Sequence, residues 1–488
     1  MKLKRTLAAA MCLCMAALML ALQAPATVSA DVTLMGDANN DGEFTIADAV
    51  MTRNWLIGSG ELINWKNVDF CKDNIIDSFD FIIMCRELVK QGVELPTEFF
   101  AKNLSDGIKS AEVVGAEADS KFIYGQTEFA LELMKREIKE DTNTLISPYS
   151  IMQALAMTAN GADGETKAEM EKVLGGMSID QLNEYLYTQK VSQSDGENCK
   201  LSTANSIWAK DLGGFFMVNS NFLQKNANYY DADFFAAPFD DTTVKDINDW
   251  VSDKTDKKIK ELLKAIDPNT MMYLINAVAF DAKWNVSYMA EDVVDSYFTD
   301  YKDQVRTVDM MYSMEHTYLN GENAEGFMKY YSGNRYAFAA ILPDESIALS
   351  DYVNSLTSEE LNRILSEPQS ADIKAGLPKF KYDFDTELSV TLEDMGMSDA
   401  FTDGADFSKM SDRGLYINSV IHKTHIEVAE DGTRAAAVTG IGECTCFNYI
   451  PESSEKKIIL ERPFIYAIVD TETNLPIFLG TVGSMQVC

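Results

Sequence analysis

Oxygen-bearing side chains recur at alternate positions between residues 37 and 48. Positions 1, 3, 5, 9 and 12 of this stretch are Asp37, Asn39, Asp41, Thr45 and Asp48, and position 6 is Gly42. Calcium takes six to eight oxygen ligands in a flexible geometry, and a loop with this spacing supplies them. The backbone carbonyl of Glu43 completes the predicted set, so the sequence predicts a calcium site here.

A second loop of the same kind begins at Asp69. Its predicted ligands are Asp69, Asp73, Asp77 and Asp80, with the carbonyl of Ile75. Cys71 stands where the first loop has Asn39, and Asn74 stands where it has Gly42. Asparagine tolerates a left-handed backbone, whereas a thiol is a poor ligand for a hard cation. We therefore expect two Ca²⁺ sites, of which the second binds more weakly.

A run of small residues after Gly432 indicates a different chemistry. On one face of an extended strand lie Thr433, Ala435, Ala437 and Thr439, and on the other face Arg434, Ala436 and Val438. A strand whose inward face is small can enter a tightly packed sheet, which bulky or charged inward residues would prevent. The alternative from these residues alone is a plain flexible loop.

Catalytic motifs do not accompany these features. The three histidines, His316, His422 and His425, lack the context of a zinc protease or a nucleophile elbow. Carboxylates are too abundant to single out a glycosidase pair, and five tryptophans do not indicate a sugar platform. A polysaccharide hydrolase is the weaker interpretation, and we expect the chain not to be an enzyme.

The cysteines indicate neither a metal site nor a definite disulfide pattern. Without Cys12 and Cys14 of the N-terminal segment six remain, and their spacing is not that of a zinc site. A disulfide between Cys71 and Cys85 stays open, as does the redox state of Cys444 and Cys446.

Composition and the N-terminus indicate an exported, acidic protein of more than one domain. The chain has 488 residues and a formal net charge of −34, so nucleic acid and anionic membrane surfaces are unexpected partners. Residues 1–30 combine a basic start, an apolar run over residues 7–22 and a small residue at Ala30. This pattern predicts a signal peptide, because the apolar run is short for a bilayer span of about 20 residues.

Helices and strands must hold the calcium loops and the run of small residues in place. A helical pattern follows the first calcium loop, and residues 92–119 form a broken pattern that predicts a linker. Beyond it, helical patterns at residues 129–138 and 151–157 precede strand patterns at 305–311, 336–342 and 458–480. This order predicts an α+β domain with a large sheet that carries helices.

The two calcium loops resemble the dockerin family. Each closes on an aspartate, Asp48 or Asp80, where an EF-hand has a long glutamate. The resemblance covers residues 36–90 and places an all-α dockerin of two EF-hand-like loop-helix repeats at 31–91. It implies a cohesin module of a scaffolding protein as partner, and a secreted, cellulosome-associated location. The residues that it places on the cohesin face are Ile46, Ala47, Arg53, Ser78, Phe79 and Arg86.

The larger region is similar to the serpin family. The segments that carry the similarity are Asn143–Ile151, Leu274–Trp284, Leu377–Phe380, Leu392–Asp399, Ala405–Ser408, Arg462–Phe464 and Phe478–Gly480. They follow serpin order and predict a serpin fold, with mixed β-sheets and surrounding helices, over residues 120–488.

The resemblance implies a suicide inhibitor of serine or cysteine proteases. A protease cleaves an exposed loop and is held as an acyl-enzyme while the freed segment inserts as a central strand. The implied hinge residues are Glu430, Gly432, Thr433, Ala435, Ala436, Ala437 and Thr439. The implied shutter, a polar cluster beneath the sheet that must part, is Ser147, Ser150, Asn276 and His422. Arg434 departs from the family's usual glutamate, and we expect it to point outward.

The scissile bond follows from two counts that disagree. Counting from Gly432 gives Cys446–Phe447, which we prefer, whereas counting back from Pro463 points nearer Glu452. Lysine and arginine are absent between Val438 and Ser454, which favours subtilisin-, chymotrypsin- or papain-like targets over trypsin-like ones. The alternative is a serpin-fold binding component of the cellulosome that does not inhibit.

Overall fold

The computed structural model describes residues 34–56, 62–91, 101–139, 142–193, 198–211, 216–267, 270–433 and 456–485. The chain divides into two compact units, Met1–Glu98 and Phe99–Cys488. The predicted signal peptide lies outside the described residues. Within them, no helix has the length and apolarity to cross a membrane.

Two helices form the small unit, and each follows one of the predicted calcium loops. They are α1 (Ile46–Leu56) and α2 (Ser78–Lys90). Asp77 caps α2 by accepting from the backbone N–H of Phe79, and the side chain of Asp80 completes a capping box. The buried core between the two halves is Ala38, Ala49, Val68, Met84 and Leu88.

The helices of the large unit surround its sheets. They are α3 (Ser120–Glu137), α4 (Pro148–Ala159), α5 (Gly164–Val173), α6 (Ile179–Ser192), α7 (Ser220–Tyr230), α8 (Asp241–Lys254), α9 (Leu349–Ser355), α10 (Ser358–Ser366) and α11 (Ser389–Asp394). Local sequence sets where α4 begins: the Ser147 hydroxyl accepts from the N–H of Ser150, and Pro148 occupies the first turn. Every residue of α4 is buried, which makes it the central helix of the unit.

A sheet with seven strands in the described part of the chain, here called the first sheet, carries the loop hinge. Its order is β1-β4-β3-β5-β13-β12-β11. The strands are β1 (Lys102–Asn103), β3 (Cys199–Lys210), β4 (Asp233–Ala237), β5 (Met272–Lys283), β11 (Phe380–Glu387), β12 (Ser419–Ala429) and β13 (Gly432–Thr433). Strands β5 and β12 pair in parallel from Tyr273–Ser419 to Val278–Thr424.

Among the described residues, the second sheet has nine strands in the order β14-β10-β7-β8-β9-β15-β16-β2, with β6 paired to β7. They are β2 (Thr144–Ile146), β6 (Val293–Thr299), β7 (Val305–Gly321), β8 (Ala324–Tyr330), β9 (Tyr336–Pro343), β10 (Gln369–Pro378), β14 (Lys456–Ile459), β15 (Phe464–Asp470) and β16 (Leu475–Val482). One buried cluster joins the helices to both sheets, and another fills the space between the sheets. The predicted α+β class is confirmed.

The structure describes residues 101–119 of the predicted linker 92–119, and this part belongs to the large unit. Lys102 and Asn103 form β1, the edge strand of the first sheet, by pairing with Ala236 and Phe235. The carboxylate of Asp233 accepts from the Asn103 amide, at 2.9 Å, and from Trp250 Nε1 of α8, also at 2.9 Å. Residues 101–119 therefore pack on the large unit, because a free sheet edge offers backbone partners that the broken sequence pattern does not reveal.

Candidate functional site

The described part of the predicted hinge lies at one end of the first sheet, between β5 and β12. Gly432 pairs with Lys283 of β5 and Ala429 of β12, and Thr433 pairs with Ala282 and Val428. A Cβ atom added at Gly432 would lie 2.0 Å from the carbonyl oxygen of Ala282. Only glycine therefore fits where the chain turns back into the sheet.

Thr433 is buried, and its hydroxyl contacts the phenol oxygen of Tyr331 at 2.6 Å. Tyr331 stacks on Trp284, with ring centroids 4.4 Å apart. Trp284 donates from Nε1 to the carbonyl of Ala429 and from its backbone N–H to that of Asp431, both at 2.8 Å. Aromatic packing and backbone hydrogen bonds thus hold the first residues of the loop inside the sheet.

Glu430 anchors the outer side of this turn. Its carboxylate accepts from Lys379 Nζ at 2.9 Å, and Lys379 also lies 3.4 Å from Asp309. Burial raises the pKa of Glu430, but the hydrogen bond and charge of Lys379 outweigh it and hold that pKa below its usual value. The carboxylate therefore stays ionised, and the turn keeps its ion pair.

The four predicted shutter residues lie together and are fully buried. His422 Nδ1 lies 2.5 Å from Asn276 Oδ1, and its Nε2 accepts from the backbone N–H of Ser147 at 3.1 Å. The Asn276 amide donates to Ser150 Oγ at 2.5 Å. These contacts join β5 and β12, which pair at Asn276 and His422, to the start of α4.

Burial lowers the pKa of His422 to about 3, because the imidazolium would lose its hydration there. The ring is therefore neutral, with Nδ1–H donating to Asn276 and Nε2 accepting. It acts as a hydrogen-bonding link between strands.

Sequence reasoning missed two members of these clusters. Asn205 of β3 accepts from the Asn276 amide at 2.6 Å, and Tyr331, directly after β8, forms an antiparallel bridge with Trp284. Both come from segments far along the chain. No local signal singled out Asn205, because β3 also contains Ser202, Thr203 and Ser206.

Both predicted calcium loops fold in the same way. Asp37 accepts from the N–H groups of Asp41 and Gly42, and Asp69 accepts from those of Asp73 and Asn74. The last aspartates also match: Asp48 accepts from Ala38, Asn39 and Thr45, and Asp80 accepts from Cys71 and Asp77. Asn74 takes a left-handed conformation with φ 64°, as Gly42 does with φ 87°.

The donor chemistry of the loops fits a hard divalent cation. Ligand oxygens of Asp69, Asp73 and Asp80 lie within 4.8 Å of one another, as they must to share one ion. Cys71 and Cys85 are both free thiols in the structure, which therefore contains no disulfide between them. Hinge residues 435, 436, 437 and 439, and the predicted bond Cys446–Phe447, lie outside the described residues.

Comparison with known proteins decides the family. Residues 124–485 match the family described as Serpin (serine protease inhibitor). The chain belongs to the serpin family. Residues 35–89 match the dockerin type I domain, so this serpin carries a dockerin at its N-terminal side. Dockerins of this type are calcium-binding modules.

The relatives of this serpin come from distant organisms. Serpin B6 of Macaca fascicularis is 33% identical over 375 residues, covering 73% of this chain and 97% of its own length. A serpin-like protein of Methanosarcina mazei is 29% identical over 391 residues, covering 78% and 88%. The crystal structure of the thermophilic serpin tengpin in its native state superposes with a TM-score of 0.75 at 48% identity, covering 79% of this chain and all of tengpin. Serpins are mostly non-enzymatic suicide inhibitors, which agrees with the expectation that this chain is not an enzyme.

Proposed function

We propose that this serpin is a secreted suicide inhibitor of serine or cysteine proteases, moored to a cellulosome scaffold through its dockerin. The observation that carries the proposal is the position of Thr433. Its small side chain is already buried between β5 and β12, and the alternation of small residues continues through Thr439. A cleaved loop can therefore extend a strand that has begun.

Insertion requires β5 and β12 to separate below Thr433. The two strands pair directly from Val278–Thr424 to Tyr273–Ser419, and the shutter hydrogen bonds lie within that stretch. Those bonds must break as the loop enters, and the new strand supplies two rows of backbone hydrogen bonds in return. The uncleaved form is then held by a kinetic barrier. An inhibitor that releases stored strain on cleavage needs such a barrier.

The loop sequence supports an apolar primary specificity. Cys446 precedes the proposed bond Cys446–Phe447, and the apolar Phe447 and Tyr449 are the alternative residues for a deep specificity pocket. The absence of Lys and Arg from Val438 to Ser454 disfavours trypsin-like targets. Subtilisin-, chymotrypsin- and papain-like proteases are the proposed targets.

The dockerin is proposed to bind two calcium ions and a cohesin. The first ion would be held by Asp37, Asn39, Asp41, Glu43, Thr45 and Asp48, and the second by Asp69, Asp73, Ile75, Asp77 and Asp80. Bound calcium neutralises the carboxylates that crowd each loop and fixes the start of the following helix. Exposed apolar side chains at the helix starts, Ile46 and Phe79, support a protein partner at this face.

Incubation of the protein from Asp31 onward with subtilisin, chymotrypsin and papain tests inhibition. We expect a complex that survives denaturing electrophoresis, and a released peptide whose mass places the cut between Cys444 and Glu452. Ala435→Arg is the control, because Ala435 is predicted on the inward face of the inserting strand and a charged residue cannot enter that face: it should be cleaved without forming the complex. Cleavage of the wild type with full protease activity throughout the panel would contradict the proposal and favour a binding role.

A further inference from the structure

A buried lysine lies close to the turn that precedes the hinge strand β13. Lys329 of β8 is 4% exposed, and its Nζ lies 2.9 Å from a carboxylate oxygen of Glu315 on β7. The same carboxylate accepts from the hydroxyl of Ser313 at 2.7 Å. A charge that is removed from water needs an opposite charge and further hydrogen bonds, and this ion pair has both. Neither the predicted hinge nor the predicted shutter includes Lys329 or Glu315.

Two aromatic rings also contact the ammonium group of Lys329. Its Nζ lies 4.3 Å from the ring centroid of Tyr288 and 5.7 Å from that of Trp284. Both distances are within the range of a cation–π contact, which is strongest where the cation is desolvated. Tyr288 and Trp284 are themselves buried. Lys329 therefore contacts the two residues at the ends of the segment 284–288.

The segment 284–288 holds the turn 429–431 by hydrogen bonds. Trp284 donates from Nε1 to the carbonyl of residue 429 and from its backbone N–H to that of residue 431, both at 2.8 Å. The backbone N–H of Tyr288 donates to the carbonyl of residue 430 at 3.0 Å. Three consecutive carbonyls are thus bonded to the two residues whose rings contact Lys329. These bonds fix the point at which β13 starts, and a slip of one residue in a strand would exchange its inward and outward faces.

We propose that Lys329 is a positioning residue for loop insertion, because through Trp284 and Tyr288 it fixes the turn 429–431 as the pivot from which β13 extends. The inference rests on the proposed inhibitory function and adds to it a residue outside the loop. A fixed pivot keeps the small face of the strand directed into the core while the strand lengthens. A pivot that moves slows insertion in the correct register, and water then hydrolyses more of the acyl-enzyme before the protease is trapped.

Replacement of the buried ion pair by neutral side chains, Lys329→Met with Glu315→Gln, tests the proposal in the chain from Asp31 onward. Hydrogen–deuterium exchange at the amides of Trp284 and Tyr288 should become about fivefold faster in the uncleaved form, because the cation–π contacts are lost. The variant should also consume several-fold more inhibitor molecules for each protease molecule inactivated. This second measurement uses the protease of the panel that the wild type traps.

The matched control is Arg306→Met with Asp300→Asn, which removes an ion pair of the same unit at the turn between β6 and β7. Neither double variant leaves an unpaired buried ion, so we expect the Lys329 variant to melt no lower than the control. Faster exchange and greater consumption at an equal melting temperature would then report the position of the turn 429–431 and not the stability of the fold.

The outcomes separate this inference from the proposed function. A wild type that traps no protease of the panel would refute inhibition itself. A wild type that inhibits, with a Lys329→Met, Glu315→Gln variant that matches the control in either exchange or inhibitor consumption, would overturn the positioning role of Lys329 alone.

Discussion

At the scale of single residues, this serpin depends on a few buried polar groups that link strands which must later part. His422 and Thr433 each use hydrogen bonds to elements distant along the chain. Such bonds contribute about 1 kcal/mol each when made, and a buried group left without its partner costs more. These residues therefore contribute to the free energy that is needed to separate β5 from β12.

His422 should make the closed sheet sensitive to acid. Its pKa is about 3 in the folded protein against about 6.5 in an unfolded chain, so the unfolded state binds the proton first. The stability that comes from neutral His422 is complete above about pH 6.5 and is lost as the pH falls, by about 1.4 kcal/mol at pH 5.5. The free energy of unfolding of wild type minus that of His422→Asn should shrink by this amount between pH 7.5 and 5.5.

The control for this measurement is Val286→Ala, because Val286 is 71% exposed and has no titratable group. Its difference from wild type should stay constant within a few tenths of a kcal/mol. An equal gap between wild type and His422→Asn at both pH values would contradict the account.

Tyr331 and Thr433 should be energetically coupled. The phenol and the hydroxyl are 2.6 Å apart and buried, so removing both partners should cost less than the sum of the single removals. A double-mutant cycle with Tyr331→Phe and Thr433→Val, read as free energy of unfolding of the uncleaved form, should give a coupling of about 1 kcal/mol. Additive effects would mean that the contact does not hold the hinge.

At the scale of elements, the sequence revealed local residue patterns but not the distant residues that contact them. The alternation from Thr433 to Thr439 and the loops at Asp37 and Asp69 are local, so they could be found from residue types and spacing. The neighbours of Thr433 could not, because Tyr331 is 102 residues away in the chain. The edge strand β1 was missed for the same reason: two residues have no periodicity to detect.

Residues 101–119 should stabilise the large unit. A chain that begins at Phe99 keeps β1, the 2.7 Å hydrogen bond from Leu104 N–H to Phe234 O, and the Asn103–Asp233 contact, whereas one that begins at Asp119 loses them. We expect the shorter chain to melt about 3 °C lower, the shift that corresponds to a loss of roughly 2 kcal/mol in a domain of this size. Identical melting temperatures for the two truncations would assign this segment to a linker, as the sequence pattern suggested.

The two calcium loops should differ in affinity. Calorimetric titration of the dockerin-containing chain should resolve two calcium ions, with the tighter one lost in Asp48→Ala and the weaker one lost in Asp80→Ala. The difference follows from Cys71, which replaces an oxygen ligand with a thiol, and Cys71→Asn should strengthen the second site. Asp295→Ala on β6, outside the loops, is the control. Two sites of equal affinity in the wild type would contradict this reading.

At the scale of the whole molecule, the fold of this serpin supports the proposal that one chain both binds a scaffold and inhibits proteases. The dockerin and serpin units are separate compact bodies, so calcium binding and loop insertion can each be measured in the full chain. The central claim is that the cleaved loop becomes a strand between β5 and β12.

Hydrogen–deuterium exchange of the chain from Asp31 onward, before and after subtilisin cleavage of the loop, tests that claim most directly. A new strand gives hydrogen-bond partners to residues 279–281 and 425–427, and it replaces the direct pairing below them. We predict that peptides covering these segments, and the peptide that begins at Arg434, become strongly protected after cleavage. Unchanged exchange in β5 and β12 after a mapped cut beyond Thr439 would contradict the account.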